Sequence, residues 1–257
     1  MTALSIPSNR WVARCVVIVT IVSGGLAIGS TTAAETSDLE IAMGLANMLR
    51  SARTVISVNQ KRINDSSIGD KSLTGQAVLG EAISNFRKST GQDPLKVDPK
   101  SRYGKLLAAQ MSAIVKVMAA QQTSINRLGI GFKGFVPATF ARLVNEDFGG
   151  RMAKQAEVKV TALPEQVRNR KALPDQWEAE SIRTQLLSPD WTRGKVYATT
   201  AKNRGRRAFR VLVPEYYGKG CLSCHGEPKD TMDITGYPKE GGQLGQLGGV
   251  ISVTLYQ

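Results

Sequence analysis

Apolar positions recur at helical spacing through the first half of the chain and alternate through the second. Behind Ser37-x-x-Glu40, which reads as a capping box, Ile41, Leu45, Met48, Ala52 and Val55 fall on one helical stripe. Polar breaks at Asn64-Asp65 and Gly69-Asp70 interrupt it, and Val78, Ala82 and Phe86 predict a second helix over about 74–88. The Pro-, Gly- and Asp-rich stretch 91–99 reads as a loop. A third helix is expected over about 103–124, with Leu107, Met111, Ile114 and Met118 on one face. Methionines at that spacing read first as core filler. Segment 129–136 holds three glycines and two phenylalanines and leads into a helix at Pro137, expected over about 137–148. Without Walker spacing it reads as a tight turn that packs its phenylalanines, rather than a phosphate loop.

The back half changes period. Residues 157–163 alternate and predict a strand. Leu173-Pro174-Asp175 opens a helix expected over 176–187, with Pro189 beyond it. Segments 195–200 and 208–213 form a hairpin around Lys202-Asn203-Arg204-Gly205, and residues 250–255 make a closing strand after a glycine-rich loop. Helices first and strands later argue for an α+β fold, a helical N-terminal half packed on an antiparallel sheet. No internal repeat is present.

The 257 residues are 42% hydrophobic and 21% charged, the composition of a globular protein rather than a disordered or disulfide-scaffold chain. With Lys plus Arg at 34 and Asp plus Glu at 21, the formal charge of +13 would suit nucleic acid, anionic lipid or an acidic partner. The N-terminus decides between these. Arg10 and Arg14 precede 14 mostly apolar residues, 15–28, and small residues follow, ending Thr32-Ala33-Ala34. That order predicts a cleaved signal peptide over 1–34. An uncleaved anchor would need a longer apolar run. The expected organisation is a signal peptide 1–34, a helical region 35–154 and a sheet-bearing region 155–257, the last two forming one continuous domain. Residues 1–34 hold no acid, so losing Arg10 and Arg14 leaves +11. The mature chain is expected to be soluble and periplasmic, with no later span, and nucleic acid is not an expected partner.

Cys15 would leave with the signal peptide, and the remaining cysteines, Cys221 and Cys224, adjoin the only histidine, His225. Cys221-Leu222-Ser223-Cys224-His225 is the C-x-x-C-H pattern of covalent haem attachment. Two thiols add across the haem vinyl groups, and the adjacent imidazole reaches the iron from the proximal side. The expectation is one haem c per chain, with Cys221 and Cys224 as thioethers and His225 as proximal ligand. Three other readings stay open: a small-loop disulfide, a thioredoxin-like redox pair, and a zinc site that would borrow a carboxylate. Arg204, Arg206 and Arg207 form the densest basic cluster. They read as a solvated hairpin end or as partners of the haem carboxylates. No catalytic constellation is visible, since the only imidazole is committed to iron.

Three stretches resemble a c-type haem family of unknown function whose cyanobacterial members have a PAS-like fold. Arg168-Asn169 with Pro174-Asp175-x-Trp177-Glu178 is similar to R-N-P-x-N-x-P-D-x-W-E, with Arg170 and Ala172 departing from it. The second stretch is Cys221–His225 with Gly226, Pro228 and Tyr237-Pro238. The third, 241–253, is similar to G-Y-x-x-G-D-x-x-G-A-I-S-V, with Gly242 in place of Tyr and Gln246 in place of Asp. The resemblance implies a PAS-like sheet carrying one covalent haem, and redox or small-ligand sensing through a partner. Relatives place a distal Cys near the position of Phe132, where this chain has none. Among Met43, Met48, Met111, Met118, Met152 and Met232, only Met152 lies near that region, as does Lys133, and these two are the named distal candidates. The favoured expectation is an iron with an open or water-held distal position. A periplasmic electron carrier, suited by the basic charge and an acidic partner, is the alternative. N-terminal sequencing of the exported protein should begin at Glu35; recovery only by detergent, with Arg10 and Arg14 retained, would show an anchor.

Overall fold

The computed structural model describes residues 36–257; the expected signal peptide lies outside the described residues. Helix α1, Asp38–Val58, opens on the capping box: Glu40 N–H donates to Ser37 Oγ at 3.2 Å, and Ser37 N–H donates to the Glu40 carboxylate at 2.9 Å. Ile41, Leu45, Met48, Ala52 and Val55 are all buried on it. A single turn, α2 (Gln60–Ile63), follows. Helix α3, Gly75–Thr90, is capped by Thr74 and ends at Gly91 with φ +71°, the left-handed stop that glycine adopts without strain. Ser101 caps α4, Arg102–Ile125. Gly75 lets these two helices approach closely, because a Cβ there would stand 2.6 Å from the Val115 carbonyl oxygen. Helix α5, Pro137–Met152, begins with proline at its first turn and runs four residues past the expected end.

Strands β1 (Ala156–Thr161), β2 (Tyr197–Asn203), β3 (Arg206–Tyr216) and β4 (Leu247–Tyr256) form one antiparallel sheet in the order β1-β4-β3-β2. Asn203 pairs with Arg206 across a two-residue turn in which Arg204 and Gly205 both have positive φ, at 50° and 78°. Two positive φ values mark the primed turn that matches strand twist. The architecture is α+β, as the change of period predicts.

One face of the sheet carries Val158, Val211, Val213, Ile251, Val253 and Leu255 into a core shared with the helices. Helix α1 lies across β3 and β4, and α5 packs on β1. On the other face Leu212 and Val250 meet Leu163, Ile182 and Leu186. The segment supplying that second cluster contains α6, Gln176–Ser181, opened by an Asp175–Glu178 capping box. The helix expected over 176–187 is therefore shorter. Its continuation, Ile182–Leu186, is a widened π turn in which Leu187 N–H donates to the Ile182 carbonyl at 3.0 Å. Among the described residues no helix is long and apolar enough to cross a membrane.

Phe148 is fully buried where α5 meets the core. Phe148→Ala should lower unfolding free energy by about 3–5 kcal/mol. Replacing the exposed Leu95 with Ala should change it by less than about 0.5 kcal/mol. Urea unfolding monitored by circular dichroism reads both.

Candidate functional site

After β3 the chain passes through a single 3-10 turn, Lys219–Cys221, into the one-turn helix α7, Leu222–His225. Gly226 ends it by donating to the Leu222 carbonyl at 2.9 Å, and a Cβ at Gly226 would lie 2.6 Å from that oxygen. Consecutive turns thus bring Cys221, Cys224 and His225 to the wall of one cleft. Both thiols are free; Cys221 is exposed and Cys224 half-buried. Burial pushes the Cys224 thiol above its ordinary pKa, against the Ser223 hydroxyl, which favours the thiolate.

His225 is held on two sides. Its Nδ1 lies 2.9 Å from Glu240 Oε2, and its ring stacks on Tyr217 with centroids 5.3 Å apart and planes at 20°. A carboxylate partner puts the proton on Nδ1 and leaves Nε2 as the metal-binding nitrogen. Nε2 makes no hydrogen bond among the described residues. Gly242 N–H donates to the His225 carbonyl at 2.6 Å. A Cβ at either Gly242 or Gly248 would stand 2.4 Å from the Tyr217 ring. These two glycines make room for that ring. Tyr217 thereby occupies space beside position 242, where the resembled pattern carries a tyrosine of its own.

Arg168 joins the surrounding segments. Its Nε donates to Glu240 Oε1 at 2.9 Å, its Nη1 to Asp233 Oδ2 at 2.5 Å and its Nη2 to the Cys224 carbonyl at 2.8 Å. Asp233 also accepts from the Thr235 hydroxyl and from the backbone N–H groups of Thr235 and Tyr237. Burial raises the Asp233 pKa, but Thr235, Arg168 and those amides outweigh it and hold the group well below the ordinary carboxylate range. Burial likewise opposes ionisation of Glu240, and hydrogen bonds from Arg168 and His225 outweigh it. Burial, with the Glu240 charge, pushes the Tyr217 phenol up to about 12.

The cleft has a volume of about 1650 Å³ and runs from the motif past the start of α5 and along β1. Phe132, Val136, Pro137 and Ala138 give it an apolar wall. Lys159, Arg210, Ser252 and Thr254 give it a polar floor from the sheet. Arg210 is buried, lies 4.1 Å over the Trp177 ring and donates to Asp175 at 2.6 Å. Four cleft residues carry a buried polar atom without a hydrogen-bond partner: Arg53 Nε, Asn145 Oδ1, Arg210 Nε and Tyr216 OH.

Of the other sequence candidates, Phe132 and Arg204 line the cleft and the rest do not. The Lys133 ammonium donates to the carbonyls of Arg127 and Ile130 in its own loop, and Met152 packs against the main core. Neither lines the cleft, nor do Met43, Met48, Met111, Met118 or Met232. Of the two phenylalanines in the glycine-rich turn, Phe135 is buried edge-on to Phe140 and Phe132 lines the cleft. Arg204 pairs with Glu157, Arg206 lies over Tyr256, and Arg207 bonds Gln257. All three sit at the hairpin end of β3, about 30 Å along the strand from Tyr216. Sequence reasoning missed Glu240, Asp233 and Tyr217. Arg168 alone carried a signal, through the resembled R-N stretch.

Asp233 ionises more easily folded than unfolded, so its contribution is present above the unfolded carboxylate pKa of about 4 and is lost as pH falls toward the folded value. Asp233→Asn should lower stability at pH 7 and flatten its decline between pH 5 and 3, measured by urea unfolding. Gly248→Ala forces a methyl into the Tyr217 ring and should cost about 1–3 kcal/mol in the same assay.

No curated protein and no solved structure matches the chain. Residues 31–255, most of the sequence, match the protein-family model described as Tll0287-like. The match spans the helices, the sheet and the Cys221–His225 turn alike, and the chain belongs to the Tll0287-like family.

Proposed function

We propose that this protein is an exported, periplasmic monohaem c-type protein that senses redox state or a small gaseous ligand and passes the signal to a partner protein. The observation that carries this reading is the Cys221-x-x-Cys224-His225 turn on the cleft wall, with His225 Nδ1 taken by Glu240 and Nε2 left for iron. A PAS-like reading of the α+β fold goes with it.

The residues present fit the group. The cleft exceeds the roughly 300–1,000 Å³ of ordinary small-molecule pockets. Its four unpartnered buried polar atoms are suited to a large ligand with polar edges. Cys221 and Cys224 would hold haem as thioethers, and His225 would hold the iron. Haem held there would supply one-electron chemistry or the binding of a small ligand. Glu240, accepting from Nδ1–H, fixes the imidazole tautomer and raises its basicity. Arg168 keeps that carboxylate ionised, and Tyr217 restrains the ring from its face.

The open readings of the motif fare less well. A redox-active thiol pair calls for a first cysteine at the N-terminus of a helix, whereas Cys221 is followed by only a single helical turn, Leu222–His225. A zinc site would borrow a carboxylate, but Glu240 is turned onto His225 Nδ1 and Asp233 onto Arg168.

Sensing is favoured over electron transfer by the wall facing the motif. Among the described residues that line the cleft there is no methionine and no imidazole other than His225. That arrangement suits an open distal position. The exposed Cys221 edge and the basic charge give electron transfer with an acidic partner its support as the second reading.

The reduced holoprotein is expected to be high-spin and to bind carbon monoxide, with a displaced Soret band in the absorption spectrum. A low-spin ferrous spectrum unchanged by carbon monoxide would overturn sensing in favour of electron transfer.

A further inference from the structure

We infer that Arg53 on α1 is the anchor for a haem carboxylate, an inference that rests on the haem reading above. Arg50 and Arg53 converge on a single acid, Glu215, near the end of β3. Each nitrogen of the Arg50 guanidinium is engaged: Nε and Nη2 donate to Glu215 Oε1, at 2.8 and 2.6 Å, and Nη1 to Asn47 at 2.9 Å. Arg53 commits only Nη1, to Glu215 Oε2 at 2.9 Å. Its Nε is buried with no partner. Next to Glu215, the Tyr216 hydroxyl is also buried and unpartnered, and the Arg193 guanidinium lies 4.3 Å over the Tyr216 ring. Two guanidinium groups thus share one carboxylate. The local surplus of positive charge and the unused donors both call for a further anion.

The position agrees. Ser57 lies one helical turn beyond Arg53, about 6 Å along the axis. Its Oγ stands 3.9 Å from where a Cβ of Gly220 would be, next to Cys221. Arg53, Thr54, Ser57, Gly220 and Cys221 line the same cleft. A haem tethered by its vinyl edge at Cys221 and Cys224 carries its two carboxylates on another edge of the same ring. The remaining Arg53 donors are the charged fork on this wall able to receive one in bidentate fashion. Arg210 also has an unpartnered Nε, but Asp175 and Glu178 already balance its charge. Arg204 also lines the cleft, but at the far end of β3, where Glu157 balances its charge.

The test uses holoprotein matured with covalent haem, in the wild type and in Arg53→Leu, Arg53→Lys and Arg204→Leu. Resonance Raman scattering reads the haem propionate bending band, which reports hydrogen bonds to those carboxylates, and redox titration reads the midpoint potential. Arg53→Leu should move the band to lower frequency and lower the potential. Arg53→Lys should restore the potential through its charge but not the band, since the fork is gone. Arg204→Leu should change neither. An unmoved band in Arg53→Leu, or an equal shift in Arg204→Leu, would overturn the assignment. If Arg53→Leu does not load haem, Arg53→Gln replaces it with the same expected band shift. Wild-type protein without haem would instead overturn the underlying haem reading before any variant is compared.

Discussion

Arg168 sits at the crossing of three chain segments that lie outside the sheet and the long helices. One guanidinium bonds the Glu240 carboxylate, the Asp233 carboxylate and the Cys224 carbonyl. A partly buried arginine satisfied by two acids is stabilising only while all its partners remain, and loss of one leaves an unpaired charge. The motif turn, the loop through Asp233 and the segment leading to Glu240 therefore hold position together. The orientation of His225 follows from that junction, because the carboxylate that fixes Nδ1 is the one Arg168 fixes in turn.

The sheet provides the frame on which the junction can form. Its apolar face is sealed by α1 and α5, which positions Arg50, Arg53 and Ser57 beside the end of β3. Its other face is closed by the segment that runs from Leu163 through α6, which brings Trp177 over Arg210 and Leu212 of β3. The cleft lies where the two coverings part. Buried charge on its floor is compensated locally, with Lys159 on Glu178 and Arg210 on Asp175. The charge at Glu215 is not compensated in the same way, with Arg50 and Arg53 sharing that single acid.

Local physics made much of this fold legible. Stripes such as Ile41-Leu45-Met48 report burial directly, and Ser37, Thr74 and Asp175 announce helix starts through hydrogen bonds within three residues. The Arg204-Gly205 turn and the alternating closing strand are equally local. The widened turn at 182–186 was not legible, since it depends on tertiary packing of Ile182 and Leu186. At the site, the Cys221–His225 spacing was visible because its chemistry is sequential. Glu240 and Tyr217 were not, because each meets His225 only after the chain has folded around Gly242 and Gly248. The basic cluster at Arg204–Arg207 was dense in sequence but is occupied by Glu157, Tyr256 and Gln257, while the underused guanidinium came from an isolated Arg53 on a helix.

The central claim is that Cys221 and Cys224 serve as attachment points rather than as a thiol pair or a metal site. Mass spectrometry of the peptide spanning Cys221–His225, taken from protein exported alongside haem-maturation machinery and denatured, tests it directly. The account predicts that this peptide carries the added mass of one haem and that neither thiol can be alkylated. A peptide with two alkylatable thiols, or one lighter by two hydrogens through a Cys221–Cys224 disulfide, would contradict it.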